Sequence, residues 1–154
     1  MDRRKFLSFS AMTALVVPAG LSAIDFRATK PATWTAKKVE DSIKALYGDV
    51  KLIESDVKVK VPKVASSGGA VPVTIKSGID AKSVAIFQDM NPESTVCVFT
   101  LNENSVIDYS MKIKLKATDT NGGNGTVTAV VEGKDGKFYV GKQSLNVAQG
   151  GCEG

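Results

Sequence analysis

From Asp56 to Val147 the chain is cut into seven short runs in which apolar and polar residues alternate, and no other feature restricts its fold so tightly. The runs are "DVKVKVP" (56–62), "AVPVTIK" (70–76), "KSVAIFQ" (82–88), "STVCVFTL" (94–101), "SMKIKLKA" (110–117), "GTVTAVVEG" (125–133) and "KFYVGKQSLNV" (137–147). A period of two sends successive side chains to opposite faces, as in a strand with one face in a core and the other in water. Between the runs stand breakers: Ser66-Ser67-Gly68-Gly69, Ser77-Gly78, Asn91-Pro92, Asn121 to Gly125, and Lys134-Asp135-Gly136. The last of these, in "KDGK", is an Asp-Gly hairpin signal. Seven short strands at this spacing predict an all-β fold, an immunoglobulin-like antiparallel β-sandwich. The Cys-Trp-Cys pattern of antibody domains is missing, because the only tryptophan is Trp34. Pro72 falls inside a run and requires an edge position or a bulge, and edge strands are where a second chain can pair.

Ahead of the strands the period is different. In "TAKKVEDSIKALYGD" the apolar residues Val39, Ile43, Leu46 and Tyr47 recur at helical spacing, with Thr35 as a candidate cap at the start and Gly48 at the end. "IDFRATKPATW" before it reads as a polar lead-in. Residues 1–23 have the layout of an export signal: a charged start, an apolar run from Phe9 to Val17 too short to cross a bilayer, and small residues beyond it. Arg3 and Arg4 followed by Lys5, Phe6 and Leu7 resemble the twin-arginine motif, with Asp2 where Ser or Thr is usual. Cleavage after Ala19 or Ala23 is compatible with the pattern. The expected organisation is therefore a signal at 1–23, a sandwich domain with its helix at 24–146, and an arm at 147–154, with a periplasmic destination. The net charge is +4; removal of residues 1–23, with three cations and one anion, leaves +2, too little to argue for nucleic acid.

Absent residues exclude much chemistry. With no histidine in the chain, Ser-His-Asp and Cys-His catalysis and histidine metal ligands are impossible. There is no Cys-x-x-Cys, and "NGGNG" lacks the Lys-Ser/Thr and the helix that a phosphate loop needs. Glu40, Asp41, Glu54 and Asp56 read as solvated surface. No catalytic residue, metal site or cofactor is expected.

The two cysteines differ in setting. Cys97 shares a strand face with Phe99 and Leu101 and reads as a buried thiol acting as a small hydrophobe. Cys152 lies in "GGCEG", with Gly150 and Gly151 before it and Glu153 and Gly154 after it. Five residues from Val147 to Cys152 can extend roughly 17 Å, enough to enter another protein's cleft. Glycines add freedom and let a backbone pass a narrow channel. A thiol on such a tether has the form of a covalent carrier, because a thiolate attacks electrophilic sulfur and its adducts can be removed again. Two other readings stay open: a structural sandwich stapled by a Cys97–Cys152 disulfide, and a sulfane-sulfur carrier serving another pathway.

At this point the sequence resembles a known family, the SoxY sulfur carriers of thiosulfate oxidation. The resemblance rests on the twin-arginine start, "IKALYGD", "VKVKVP", "SGGAVPVTI", "IFQDMNP", "FTLNE", "GKFYVGKQSLNV" and the terminal "GGCEG". It implies an immunoglobulin-like subunit that forms a periplasmic heterodimer with a SoxZ-like partner and carries sulfur intermediates on Cys152. It further implies transient work with a SoxAX-like cytochrome that joins thiosulfate to the thiol, a SoxB-like dimanganese hydrolase that releases sulfate, and in some organisms a SoxCD-like dehydrogenase. Haem and manganese would belong to those partners, and no membrane attachment is implied. Two departures stand out: Glu153 replaces the family glycine after the cysteine, and Cys97 is an additional thiol.

Overall fold

The computed structural model describes residues 25–116 and 122–148. Among them nine strands form two packed sheets. The strands are β1 (Leu52–Glu54), β2 (Val57–Lys60), β3 (Val64–Ala65), β4 (Val71–Ser77), β5 (Ala81–Gln88), β6 (Thr95–Thr100), β7 (Ile107–Ile113), β8 (Gly123–Gly133) and β9 (Phe138–Val147). The larger sheet runs β1-β9-β8-β5-β6, with β3 also against β9; the smaller is β2-β4-β7. This is the immunoglobulin-like sandwich the alternating runs predict, with two strands more than they reveal. The extra strands, β1 and β3, pair parallel to β9, while all the other pairs are antiparallel.

Those two short strands share one edge of β9. Leu52–Glu54 lie along Phe138–Val140, and Val64–Ala65 lie along Asn146–Val147. Between them the chain crosses to the smaller sheet as β2. The crossing passes over Gly141, where a Cβ would stand on the carbonyl oxygen of Val57. Glycine is therefore required there for close backbone approach.

Two apolar layers follow from the two faces of the larger sheet. Between the sheets, Val71, Val73, Ile75, Val84, Ile86, Val127, Val131 and Val147 are buried. On the outer face, Ala85, Phe87, Val130 and Val140 meet Ile43 and Leu46 of a helix. Being covered on both faces, β5 and β8 are buried almost continuously, not alternately.

That helix, the longest of three α-helices among the described residues, is the one its apolar spacing predicts. The three are α1 (Phe26–Thr29), α2 (Pro31–Thr35) and α3 (Val39–Tyr47). Glu40 and Asp41 occupy the first turn of α3, where the helix dipole favours negative charge. Gly48 ends it with φ 84° and an N–H donated to the Lys44 carbonyl at 2.8 Å. Thr35 does not cap α3, because it closes α2; the residue before α3 is Lys38, which makes no side-chain cap. The lead-in is thus helical, and it is tied down by hydroxyls: Ser42 Oγ and Thr95 Oγ1 both donate to the Thr33 carbonyl, at 3.3 and 2.7 Å.

Pro72 sits in β4, the middle strand of its sheet, yet β2 pairs only with Thr74–Ser77. At Pro72 the β2 side is open, so no ladder hydrogen bond is lost. β7 begins at Ile107 and ends at Ile113, three residues earlier and four earlier than the alternation implies. The "KDGK" turn joins β8 to β9, with Gly136 at φ 78° and Gly133 N–H donating to the Lys137 carbonyl at 2.9 Å.

Candidate functional site

The candidate site begins at the end of β9, from which the chain continues to Cys152. Val147 is 1% exposed and lies between Gly123 of β8 and Ala65 of β3. On the β3 side, Asn146 N–H donates to the Lys63 carbonyl at 2.9 Å and Ala148 N–H to the Ala65 carbonyl at 2.8 Å. The strand is held on both sides up to the last described residue. Cys152 and its neighbours Gly150, Gly151, Glu153 and Gly154 lie outside the described residues. From Ala148 to Cys152 is four residues, a reach of at most roughly 14 Å.

Around this root the loops are riveted. Leu115 N–H donates to the Gly68 carbonyl at 2.8 Å, and the α-carbon of Gly68 abuts the Leu115 carbonyl and the Val147 side chain. The buried Gln88 closes the turn after β5: its Oε1 accepts from Met90 and Asn91 N–H, both at 2.7 Å, and its Nε2 donates to the Glu93 carbonyl at 2.7 Å. Asn91 then bridges to the segment after β7, donating to the Lys114 carbonyl at 2.8 Å and accepting from Lys116 N–H at 2.9 Å. The motif "IFQDMNP" is thus structural support for this end of the sandwich. Beside it an open groove of about 370 Å³ is lined by Lys63, Asp89, Asn124, Thr126, Ser144 and Asn146, among others.

Four exposed lysines gather at the same end: Lys63 before β3, Lys112 on β7, and Lys114 and Lys116 after it. Val64, 63% exposed, follows Lys63 and aligns with Asn146 at this end. Sequence reasoning does not find this group, because Lys63 is far from the other three along the chain and only the pairing brings them to one end. The available signal was "SMKIKLKA", which reads as one wet strand face.

Cys97 belongs elsewhere. It is a free thiol, half-buried on β6, with Sγ 3.9 Å from Met111 Sδ of the opposite sheet. Burial pushes its pKa up to about 11, so at neutral pH it is a protonated, weakly nucleophilic thiol. Cys97 aligns with Ile86, Ala129 and Gly141 across the sheet. Ala148 is seven residues beyond Gly141, so Cys97 is roughly 23 Å along the strands and roughly 14 Å across them from Ala148, about 27 Å in all. Four residues plus a disulfide span about 20 Å. The staple reading is therefore out of reach for a tail leaving this root.

No cluster of three or more metal-type side chains occurs among the described residues, and Glu40, Asp41, Glu54 and Asp56 are exposed there. The shifted groups that remain are structural. Tyr47 is raised by burial while its hydroxyl meets Ser83 Oγ at 3.0 Å. Asp135, in the β8–β9 turn, is lowered chiefly by the 2.6 Å hydrogen bond that Tyr139 donates to it. None of the described helices is long and apolar enough to cross a membrane.

The described residues thus form a two-sheet sandwich whose last strand leads toward Cys152. The family model described as "Sulfur oxidation protein SoxY" matches residues 43–152, so the match ends on the cysteine itself. The chain belongs to the SoxY family. Among solved structures it is similar to the sulfur carrier protein SoxY from Chlorobium limicola f thiosulfatophilum, with a TM-score of 0.62 and 26% identity over 72% of this chain and 96% of that one. The superoxide reductase (neelaredoxin) from Ignicoccus hospitalis shares the fold, with a TM-score of 0.50 and 12% identity over 60% of this chain and 80% of that one. Comparison with curated proteins gave no match. Family and fold together give the protein a carrier role in sulfur oxidation.

Proposed function

We propose that the protein is a non-enzymatic carrier that holds sulfur intermediates covalently on Cys152 and presents them to separate enzymes in the periplasm. The observation that carries this reading is the family match ending at Cys152, beyond a strand held in place to Ala148. Support comes also from Cys97, which is protonated at neutral pH and too far from the root to tie the tail down. In the loading step a SoxAX-like cytochrome would join thiosulfate to the thiol: the sulfane sulfur bonds to Sγ, the thiol proton leaves, and two electrons go, one at a time, to the cytochrome as oxidant. The adduct is Cys152–S–SO₃⁻. In the release step a SoxB-like hydrolase adds water to the terminal sulfur, the S–S bond to the sulfonate breaks, and sulfate departs, leaving a persulfide. A SoxCD-like dehydrogenase would oxidise that persulfide further.

The signal-like residues 1–23 support export by the twin-arginine route, which carries folded proteins and would let a SoxZ-like partner cross with this chain. Glu153 sets a carboxylate beside the thiol. It disfavours the thiolate and repels thiosulfate, an effect softened by salt.

The test is the intact mass of the protein from thiosulfate-grown cells, before and after mild reduction, with the adduct mapped by peptide. A reducible sulfur adduct on the Cys152 peptide is expected. Cys152→Ser should keep the fold and lose all loading; thiosulfate-dependent electron transfer that survives this change would end the reading.

A further inference from the structure

The end of the sandwich from which the chain leaves for Cys152 differs in charge from the rest. Lys63, Lys112, Lys114 and Lys116 are exposed there, and none of them is in an ion pair among the described residues. The five ion pairs among the described residues lie elsewhere. Lys44–Asp49 is at the end of α3, while Lys58–Asp56, Lys76–Asp108, Lys134–Asp80 and Lys137–Asp135 are at the opposite end of the strands. At that opposite end four lysines are paired and the unpaired Lys51 and Lys82 stand among the acids Glu54, Asp56, Asp80, Asp108, Glu132 and Asp135, whereas at the tail end none of the four lysines is paired. The described acids near the root are Asp89, which already accepts from Thr126 N–H at 2.7 Å, and Glu93.

A second feature coincides with this cluster. Among the described residues Val64 is one of two large apolar side chains that are prominently exposed, at 63%, and it follows Lys63 on the short strand that clamps β9. An apolar contact at the same end of the sandwich as unpaired like charges is the composition of a docking patch: the apolar residue is desolvated on contact while the charges steer approach and fix orientation. A membrane would call for a broader apolar face, and single-stranded nucleic acid for stacking aromatics. Neither is present among the described residues of this patch. Whatever meets the patch must also receive a segment of up to roughly 14 Å emerging beside it.

We propose that Lys63, Lys112, Lys114, Lys116 and Val64 form the docking surface for an acidic protein face that surrounds a thiol-accepting cleft on an enzyme. The inference rests on the carrier reading and deepens it: the arm enters the cleft while the lysines engage its anionic rim. Recognition then belongs to the folded body as well as to the glycine-flanked cysteine, and enzymes of different chemistry need share only an acidic rim to use the same carrier.

The experiment follows loading of Cys152 by a purified SoxAX-type cytochrome with thiosulfate, read as haem reduction and as adduct mass, across a salt series. The parent rate is expected to fall by about tenfold or more between about 20 and 300 mM NaCl, as steered association does. The quadruple variant Lys63→Glu/Lys112→Glu/Lys114→Glu/Lys116→Glu should load about tenfold more slowly at low salt and lose the salt dependence. The corresponding quadruple Lys→Gln variant should lose the dependence without introducing repulsion. In all three proteins, reaction of Cys152 with the uncharged disulfide 4,4′-dithiodipyridine should be equal, which shows that fold and thiol exposure are intact. Equal loading rates and salt slopes in parent and variants would overturn the proposal. So would charge reversal that releases the parent from phosphatidylglycerol vesicles yet leaves loading unchanged, since that assigns the patch to a membrane. If the parent itself is never loaded although its thiol reacts with the disulfide, the carrier reading falls, and this inference with it.

Discussion

At Cys97 a thiol faces Met111 across the gap between the sheets, and burial holds its proton to a pKa of about 11. A buried neutral thiol costs little and reacts little, which is what an additional cysteine needs if it is not to compete with Cys152 for electrophilic sulfur. The sign of the pH dependence follows. Raising the pH toward 11 increases the Cys97 thiolate, so its alkylation should be slow at pH 7 and rise steadily from pH 8 to pH 10. An exposed cysteine of ordinary pKa, near 8.5, should level off over that range. Iodoacetamide labelling of the folded protein at several pH values, with each cysteine quantified by peptide mass, checks this. Comparable labelling of both cysteines at pH 7 would contradict the assignment of Cys97 to packing. Cys97→Ala should leave sulfur loading unchanged.

At the scale of elements, the corner between β1, β2 and β3 is the feature least legible in the sequence. Alternation needs four or more residues to be recognised. "LIE" and "VA" are too short to show it, and their pairing to β9 is long-range. The same holds for α1 and α2, of four and five residues, whose apolar positions are too few to set a helical period. The long strands and α3 were legible because each has one face against a core, and the periodicity records that face. Cys152 rests on the sequence alone, where Gly150 and Gly151 before it and Gly154 after it set it apart from the alternating runs. The lysine patch was not, because pairing, not spacing, assembles it. Gly141 is the hinge of the corner, and Gly141→Ala would drive a methyl group into the Val57 carbonyl. The expected cost is about 3 kcal/mol, as for overpacking that the backbone must absorb, measured as a lower urea midpoint with an unchanged slope. An unaltered midpoint would mean that the crossing is looser than described.

At the scale of the whole molecule, the described body runs to Ala148, and residues 149–154, Cys152 with them, lie outside it. Among the described residues the last buried side chain is Val147, and the last backbone hydrogen bond is donated by Ala148 to the Ala65 carbonyl. Deleting residues 149–154 should therefore shift Tm by less than about 2 °C, the size of an ordinary surface change, while abolishing loading. A larger drop, seen by calorimetry, would assign the tail a structural role.

The way β9 is gripped has a mechanical meaning. An arm withdrawn from a tight cleft pulls its anchor along the strand axis. β9 is paired over ten consecutive residues with β8 and clamped on its other edge by β3, so such a pull loads all these hydrogen bonds together in shear. A terminal segment fixed to a free edge could be peeled away one bond at a time. Because its load-bearing strand lies inside the sheet, this carrier can be pulled free of a partner without being unzipped.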